Sequence, residues 1–327
     1  MKRRSIVGIM GGLATNAALP LLAQSQRRAR LGILATFPPS NAAVVPLWTA
    51  FYAELAARGW VDGRNMAVEA RYSEGNPEKD ETFAKEILAS APEVILGSNS
   101  RAVEFLRKAT SSIPIVMVNV SHAVEVGFVA SLARPGGNVT GVVNQAGDMQ
   151  GKFIELLRAV KPGMTRMGAI WSPNNLGSAL AFKDTQAAAA GLGVRLTSLP
   201  VDQSADIEPA LSAAQREGVQ ALQVHPTGSI ASGWRQIQAW ASQRQVITLG
   251  QAQWVRGGFL MSYWADIPEI YRTSATFVDR IFRGAKPADL PVEQPTKFEL
   301  VINLKTARAM GLTIPQSVRL QATEVIE

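Results

Sequence analysis

The sequence predicts an α/β chain built as two Rossmann-like lobes, each a parallel sheet covered by helices. Three observations carry this reading. Short apolar runs alternate with helix-length amphipathic segments through most of the 327 residues, the pattern of βα units stacked into parallel sheets. The alternation runs through one full round before residue 150 and a second after it. The length also suits two domains, at roughly 100–200 residues each.

Residues 31–35 form a first strand, ending in the proline-rich loop Thr36-Phe37-Pro38-Pro39-Ser40-Asn41. Residues 46–58 follow as a helix with Leu47, Phe51 and Leu55 four apart on one face and Trp48 and Tyr52 beside them. This stripe reads as core, and Gly59 stops the helix. Residues 66–72 alternate as a strand, Asn76-Pro77 opens a helix through 90, and 93–97 is the next strand. Ser98-Asn99-Ser100 then caps a helix over 101–110. The stretch 113–141, IPIVMVNVSHAVEVGFVASLARPGGNVTG, holds two strands, 113–118 and 139–143. Between them lie the polar turn 119–122, a helix-length apolar segment to Leu132 and the breaker Arg134-Pro135-Gly136-Gly137-Asn138.

The second round uses the same grammar. Helices are predicted over 150–160, 180–191, 207–217 and 232–244, with strands at 167–171, 195–200, 221–224 and 246–249. Residues 259–264 add a strand and 267–283 a helix.

The first residues are a different kind of segment. Lys2-Arg3-Arg4 precedes an apolar run over 6–23, interrupted by Thr15-Asn16 and Pro20 and leaving through small residues. This order reads as a secretory signal over residues 1–25, of Sec or twin-arginine type, in preference to a retained membrane anchor. Three positive charges lie in it, so the formal +7 of the whole chain falls to +4 after residue 23. The densest basic cluster, Arg27-Arg28-Ala29-Arg30, sits in the linker. Nothing resembles a basic face for nucleic acid. There is no cysteine, which excludes disulfides, thiolate metal sites and a cysteine nucleophile.

Local catalytic signatures are also missing: no G-x-G-x-x-G, no phosphate-cradling G-x-x-x-x-G-K-[ST], no G-x-S-x-G and no H-E-x-x-H. The two histidines, His122 and His225, have no second metal ligand nearby in sequence. No catalytic residue, metal or cofactor is therefore assigned. The sequons at Asn119 and Asn138 are chance matches. What remains is a set of small polar turns at strand ends, where open α/β sheets bind ligands. The candidates are Thr36, Phe37, Ser98, Asn99, Ser100, Ser121, His122, Trp171, Asn174, His225, Pro226 and Tyr263. A turn such as Ser98-Asn99-Ser100 can cap its helix, hold a ligand carboxylate on the same N–H groups, or both. Phe37, Trp171, Trp254, Tyr263 and Trp264 could wall a pocket for a flat or hydrophobic ligand; Trp171 and Trp254 read equally well as lobe or hinge packing.

Three blocks then carry a resemblance: 113–141, Gly59-Trp60-Val61-Asp62-Gly63-Arg64-Asn65, and the tail LPVEQPTKFELVINLKTARAMG over 290–311. Together they resemble the substrate-binding proteins of a family of bacterial ABC importers, over roughly residues 30–327. These have the periplasmic binding protein type I fold and are related to tryptophan- and branched-chain amino-acid-binding receptors. The resemblance implies a three-crossover hinge, placed near 144–149, 254–258 and 294–297. The first lobe would then hold 30–145 and 258–295, the second 146–257 and 296–327. It further implies a monomeric periplasmic protein that captures a small-molecule ligand by hinge closure and docks on an ABC permease. Relatives read Ser-Asp-Pro where this chain has Ser121-His122-Ala123. A histidine in place of the acid points to a ligand other than an ordinary zwitterionic amino acid, such as an aromatic or hydrophobic carboxylate, unless Glu125, Asp148 or Asp266 supplies the acid. A sensing module that passes occupancy to a receptor is the alternative, and an enzyme of two Rossmann-like lobes a third.

Overall fold

The computed structural model describes residues 28–327 apart from 43, 75 and 145–148. The signal segment expected over 1–25 and Asp148 therefore lie outside the described residues. The first sheet holds β1 (Ala29–Ala35), β2 (Met66–Tyr72), β3 (Val94–Gly97), β4 (Ile115–Val120) and β5 (Val139–Val143). All its pairs are parallel, in the order β2-β1-β3-β4-β5. Helices α1 (Val45–Ala57), α2 (Pro77–Ala89) and α3 (Ser100–Ala109) connect its strands.

The second sheet holds β6 (Arg166–Trp171), β7 (Arg195–Pro200), β8 (Ala221–Val224), β9 (Ile247–Leu249), β10 (Met261–Ala265), β11 (Phe298–Asn303) and β12 (Glu324–Ile326). Its order is β12-β11-β10-β9-β8-β6-β7, parallel except for the antiparallel pair β10/β11. Its helices are α4 (Met149–Val160), α5 (Leu176–Gly191), α6 (Ile207–Arg216), α7 (Gly228–Gln243), α8 (Ala252–Arg256), α10 (Leu304–Ala309) and α11 (Gln316–Arg319). Helix α9 (Ile267–Phe282) instead packs on α1, β4 and β5 of the first sheet. No described helix is long and apolar enough to cross a membrane.

Local sequence explains the elements that set the lobes. In α1, Trp48, Phe51 and Leu55 are buried as one stripe against Tyr271, Phe277 and Val278 of α9 and their neighbours, which is the core reading of that stripe. The Gly59–Asn65 block is a pinned turn. The Trp60 indole donates to Asp279 Oδ1 on α9 at 2.8 Å and packs on Phe282, while Asn65 Oδ1 accepts from Val61 N at 2.9 Å. Gly141 allows β5 to sit tightly beside β4. Its φ is +131°, and a Cβ there would lie 2.2 Å from the Met117 carbonyl oxygen.

Two expectations are corrected. The helix-length segment after β4 is a run of turns. His122 O accepts from Val126 N at 2.9 Å and Ala123 O from Phe128 N at 2.8 Å. Gly127, at φ +70°, closes this single turn, the left-handed exit that ends helices before they propagate. Second, residues 258–265 do not return to the first lobe. The strand β10 pairs with β9 and β11, because the short α8 makes a local βαβ unit on the same sheet. The chain crosses between Ala265 and Ile267, later than the expected 254–258. It crosses again after Glu293, whose backbone pairs with Gly141 and Val143, to reach β11.

Candidate functional site

Each sheet has the strand order that reverses direction at one point, and the loops beyond the strands diverge there. In the first sheet this point lies between β1 and β3. Asn99 Nδ2 donates to Thr36 Oγ1 across it at 2.8 Å. Asn99, and not its serine neighbours, is the helix cap, accepting from Ala102 N at 2.9 Å. Ser98 is buried and hydrogen-bonds the Tyr271 phenol, which burial pushes up to about 12. Phe37 is exposed, and its carbonyl accepts from the Trp48 indole at 3.4 Å. One strand along, Asn119 and His122 both take left-handed backbone, at φ +58° and +54°. That bulges the end of β4 and turns Ser121 to donate to Asn144 Oδ1 at 2.9 Å.

In the second sheet the reversal lies between β6 and β8. His225 follows β8, with its backbone N–H on Ile170 O at 2.9 Å. Its imidazole is buried, which lowers its pKa to about 4 and keeps it neutral. Nε2 has no hydrogen-bond partner, nor has Thr227 Oγ1 at the cap of α7. Asn174 is held by Asp202, its side-chain nitrogen 2.9 Å from Oδ2. Trp171 stacks on Phe182 of α5 at 4.3 Å and donates to Ser198, so it packs within its own lobe. Trp254 is fully buried against Trp234 and Phe259. Tyr263 stacks on Phe298 and meets Phe153 edge-on, and burial raises its pKa.

The two sets of turns touch. A Cβ placed on Gly177, at the start of α5, would lie 3.8 Å from Ser121 Cβ and 3.9 Å from Ser100 Oγ. His122 Nε2 is 3.5 Å from Asp184 Oδ2 of α5. A cavity of about 30 Å³ remains between the lobes, lined by Ser121 and Asn144 from one side and by Gln150, Gln223, His225 and Trp264 among those from the other. Its lining carries no Asp, Glu, Lys or Arg. A larger groove of about 670 Å³ opens beside it and takes in His122.

Of the residues expected at the site, Ser121 and His225 line the small cavity and His122 the groove. Ser100 lies at the lobe contact. Thr36, Phe37, Ser98 and Asn99 lie on the first lobe's turns and Trp171, Asn174, Pro226 and Tyr263 on the second lobe, lining neither space. Sequence reasoning missed Gln150, Gln223, Asn144 and Asp184. The first two form a buried chain, Thr185 Oγ1 and Gln223 Nε2 both donating to Gln150 Oε1 at 2.9 and 2.7 Å. A lone glutamine in the apolar strand Ala221-Leu222-Gln223-Val224 was the available signal.

Two α/β lobes with opposed strand-end turns and a polar cavity between them define the architecture of a two-lobed binding protein. Residues 43–326 match the family described as ABC transporter substrate binding protein, and the chain belongs to that family. The fold is that of the type I periplasmic binding proteins. Among solved structures, the ABC domain in complex with L-Trp from Streptococcus pneumonia is similar at 26% identity, covering 91% of this chain and 100% of that one with a TM-score of 0.84. A conserved domain protein from Vibrio cholerae O1 biovar eltor matches at 25% identity with the same coverage and TM-score. A tyrosine-binding protein of Clostridioides difficile is 22% identical over 263 residues, 80% of this chain and 75% of the other.

Proposed function

We propose that this chain is the exported solute-binding component of an ABC importer, capturing a small organic solute between its lobes and presenting it to a membrane permease. The solute is an amino acid or an aromatic or hydrophobic carboxylate. One observation carries this: buried polar atoms without a protein partner, Gln223 Oε1 and His225 Nε2, line the cavity where the lobes meet. Such atoms are costly unless hydrogen-bonded. About 30 Å³ is roughly one water's share of liquid volume, so the lobes part about their crossings to admit a solute. A solute that touches both lobes then favours the closed form, since only there are all its contacts made.

The relatives that bind tyrosine and L-Trp support an aromatic amino acid as the first solute to try. Trp264 and Phe153, stacked at 6.1 Å beside the cavity, support an aromatic-accepting wall. The test is a thermal-shift screen of the chain from Gln24 onward against aromatic and branched amino acids, aromatic and aliphatic carboxylates, sugars and nucleosides. A solute at 100 times its Kd adds about 2.7 kcal/mol, an easily visible shift. Silence across the amino acids and carboxylates refutes the solute class.

A further inference from the structure

The end of β4 is held in backbone that its own residues do not favour. Asn119 and His122 lie at φ +58° and +54°, left-handed positions that residues other than glycine keep only where the surroundings hold them. One residue does so here. Asn144 follows β5 directly and is buried. Its backbone N–H donates to Val120 O at 2.9 Å, its Nδ2 donates to Asn119 O at 3.3 Å, and its Oδ1 accepts from Ser121 Oγ at 2.9 Å.

These contacts fix the polarity of Ser121. A backbone carbonyl only accepts, so the amide nitrogen belongs beside Asn119 O and the amide oxygen beside Ser121. The single hydroxyl proton is thereby committed to Asn144 Oδ1, and Ser121 Oγ keeps its lone pairs. Ser121 is only half-buried and lines the central cavity with Asn144, so what it offers a solute there is an acceptor. A carboxylate has acceptors alone and cannot pair with it; an N–H or O–H can. The same asparagine stands at the hinge. The strand β5 lies in the first sheet, and α4 packs on α5 and β9 of the second lobe. Asn144 is the last described residue before the chain passes between them. Its neighbour Val143 donates from its backbone to Glu293 O at 3.0 Å, which joins this crossing to the one that leads to β11.

We propose that Asn144 is a positioning residue for solute binding: it holds Ser121 as a hydrogen-bond acceptor in the cleft, so that a solute N–H or O–H bound there is felt at the head of the crossing between the lobes. This rests on the reading of the cleft as the solute site.

L-tryptophan and indole-3-propionate are titrated calorimetrically into the chain from Gln24 onward and into its Ser121→Ala, Asn144→Ala and double variants. Asn144→Ser, which cannot span Asn119 O and Ser121 together, is carried in parallel against misfolding of the alanine variant. Ser121→Ala is expected to weaken binding about fivefold, the scale of one neutral hydrogen bond. Asn144→Ala is expected to weaken it at least as much. Adding Ser121→Ala to it should cost less than about twofold more, because the Ser121 contact is already lost; independent losses would multiply. Val139→Ala separates positioning from stability. It removes buried methyl groups from the start of β5, so it lowers the melting temperature but leaves the Ser121→Ala loss at about fivefold. The inference is overturned if Ser121→Ala binds as the wild type does, if the two losses multiply, or if Val139→Ala also abolishes the Ser121 effect. Multiplied losses with a wild type that binds remove only this inference. Failure of both probes to bind the wild type sinks the aromatic-solute reading of the cleft, and this inference falls with it.

Discussion

Gly177 offers the sharpest perturbation of lobe closure. It stands in the first turn of α5, on the second lobe, facing Ser100 and Ser121 of the first. A Cβ there meets them at 3.9 and 3.8 Å, ordinary contact, so Gly177→Ala leaves closure intact. Leucine places three more carbons beside Ser100 and Ser121, which the Cβ already touches. Overpacking of this kind costs about 1–3 kcal/mol. Ser100 and Ser121 belong to the other lobe, so the cost against them falls on the closed arrangement, while the nearest atom, Asn175 Oδ1 at 3.5 Å, is the cap of α5 itself. A penalty confined to the binding-competent form weakens apparent affinity in proportion to its lost population, here by about 5- to 150-fold. The α5 helix itself gains slightly from replacing glycine, up to about 1 kcal/mol, so the melting temperature of the solute-free protein does not fall. Calorimetry with the best solute of the thermal screen reads the affinity, and small-angle X-ray scattering reads the radius of gyration. Gly177→Leu is expected to bind more weakly and to stay expanded with solute, and Gly177→Ala to match the wild type. Wild-type affinity and compaction in Gly177→Leu would refute the reasoning.

Three further outcomes test the structure. Burial holds His225 at about 4 against about 6.5 in an unfolded chain. Between those values the unfolded state takes up a proton that the folded state refuses, so this contribution is complete above about pH 6.5 and is lost as the pH falls towards 4. Urea unfolding should lose about 3 kcal/mol across that window, and the His225→Gln variant should lack this component. Gly141→Ala puts a methyl group 2.2 Å from the Met117 carbonyl oxygen at a left-handed φ, and should cost about 3 kcal/mol or more in urea unfolding. Asp279 accepts from Trp60 at 2.8 Å and Arg283 at 2.7 Å, with Arg58 at 3.5 Å; Asp279→Ala, which leaves two solvated arginines and an unpaired indole N–H, should cost about 1–2 kcal/mol, and Trp60→Phe, which loses the hydrogen bond while keeping a ring against Phe282, about 1 kcal/mol, both read by chemical denaturation.

The fold was legible wherever the signal is local. The stripe Trp48, Phe51, Leu55 and the apolar runs that became β1, β3 and β4 state their periodicity within a few residues. Strand partnership is not local. β10 reads as a strand from its own residues, but whether it joins β9 or the other lobe depends on α8, a helix too short to announce itself. The turns after β4 looked helical because their composition is apolar; Gly127 and the left-handed His122 end the turn before it can propagate. Site legibility followed the same division. Strand-end turns marked Ser121 and His225, since the end of a strand is visible in sequence. Asp184 lies on the exposed face of an alanine-rich helix and gains meaning only when closure brings it to His122. Trp171 and Tyr263, singled out as aromatics near strand ends, are engaged by Phe182 and Phe298 within their own lobe.

Amide hydrogen exchange with and without saturating L-tryptophan or the best solute of the screen decides whether a solute is held between the lobes by groups from both. Added protection is expected on both sides of the cleft together: in the turn after β4 at residues 119–122, at the start of α5 around Gly177, and across 223–227. Protection confined to one lobe, or a saturating solute that leaves all three segments exchanging as before, would contradict it.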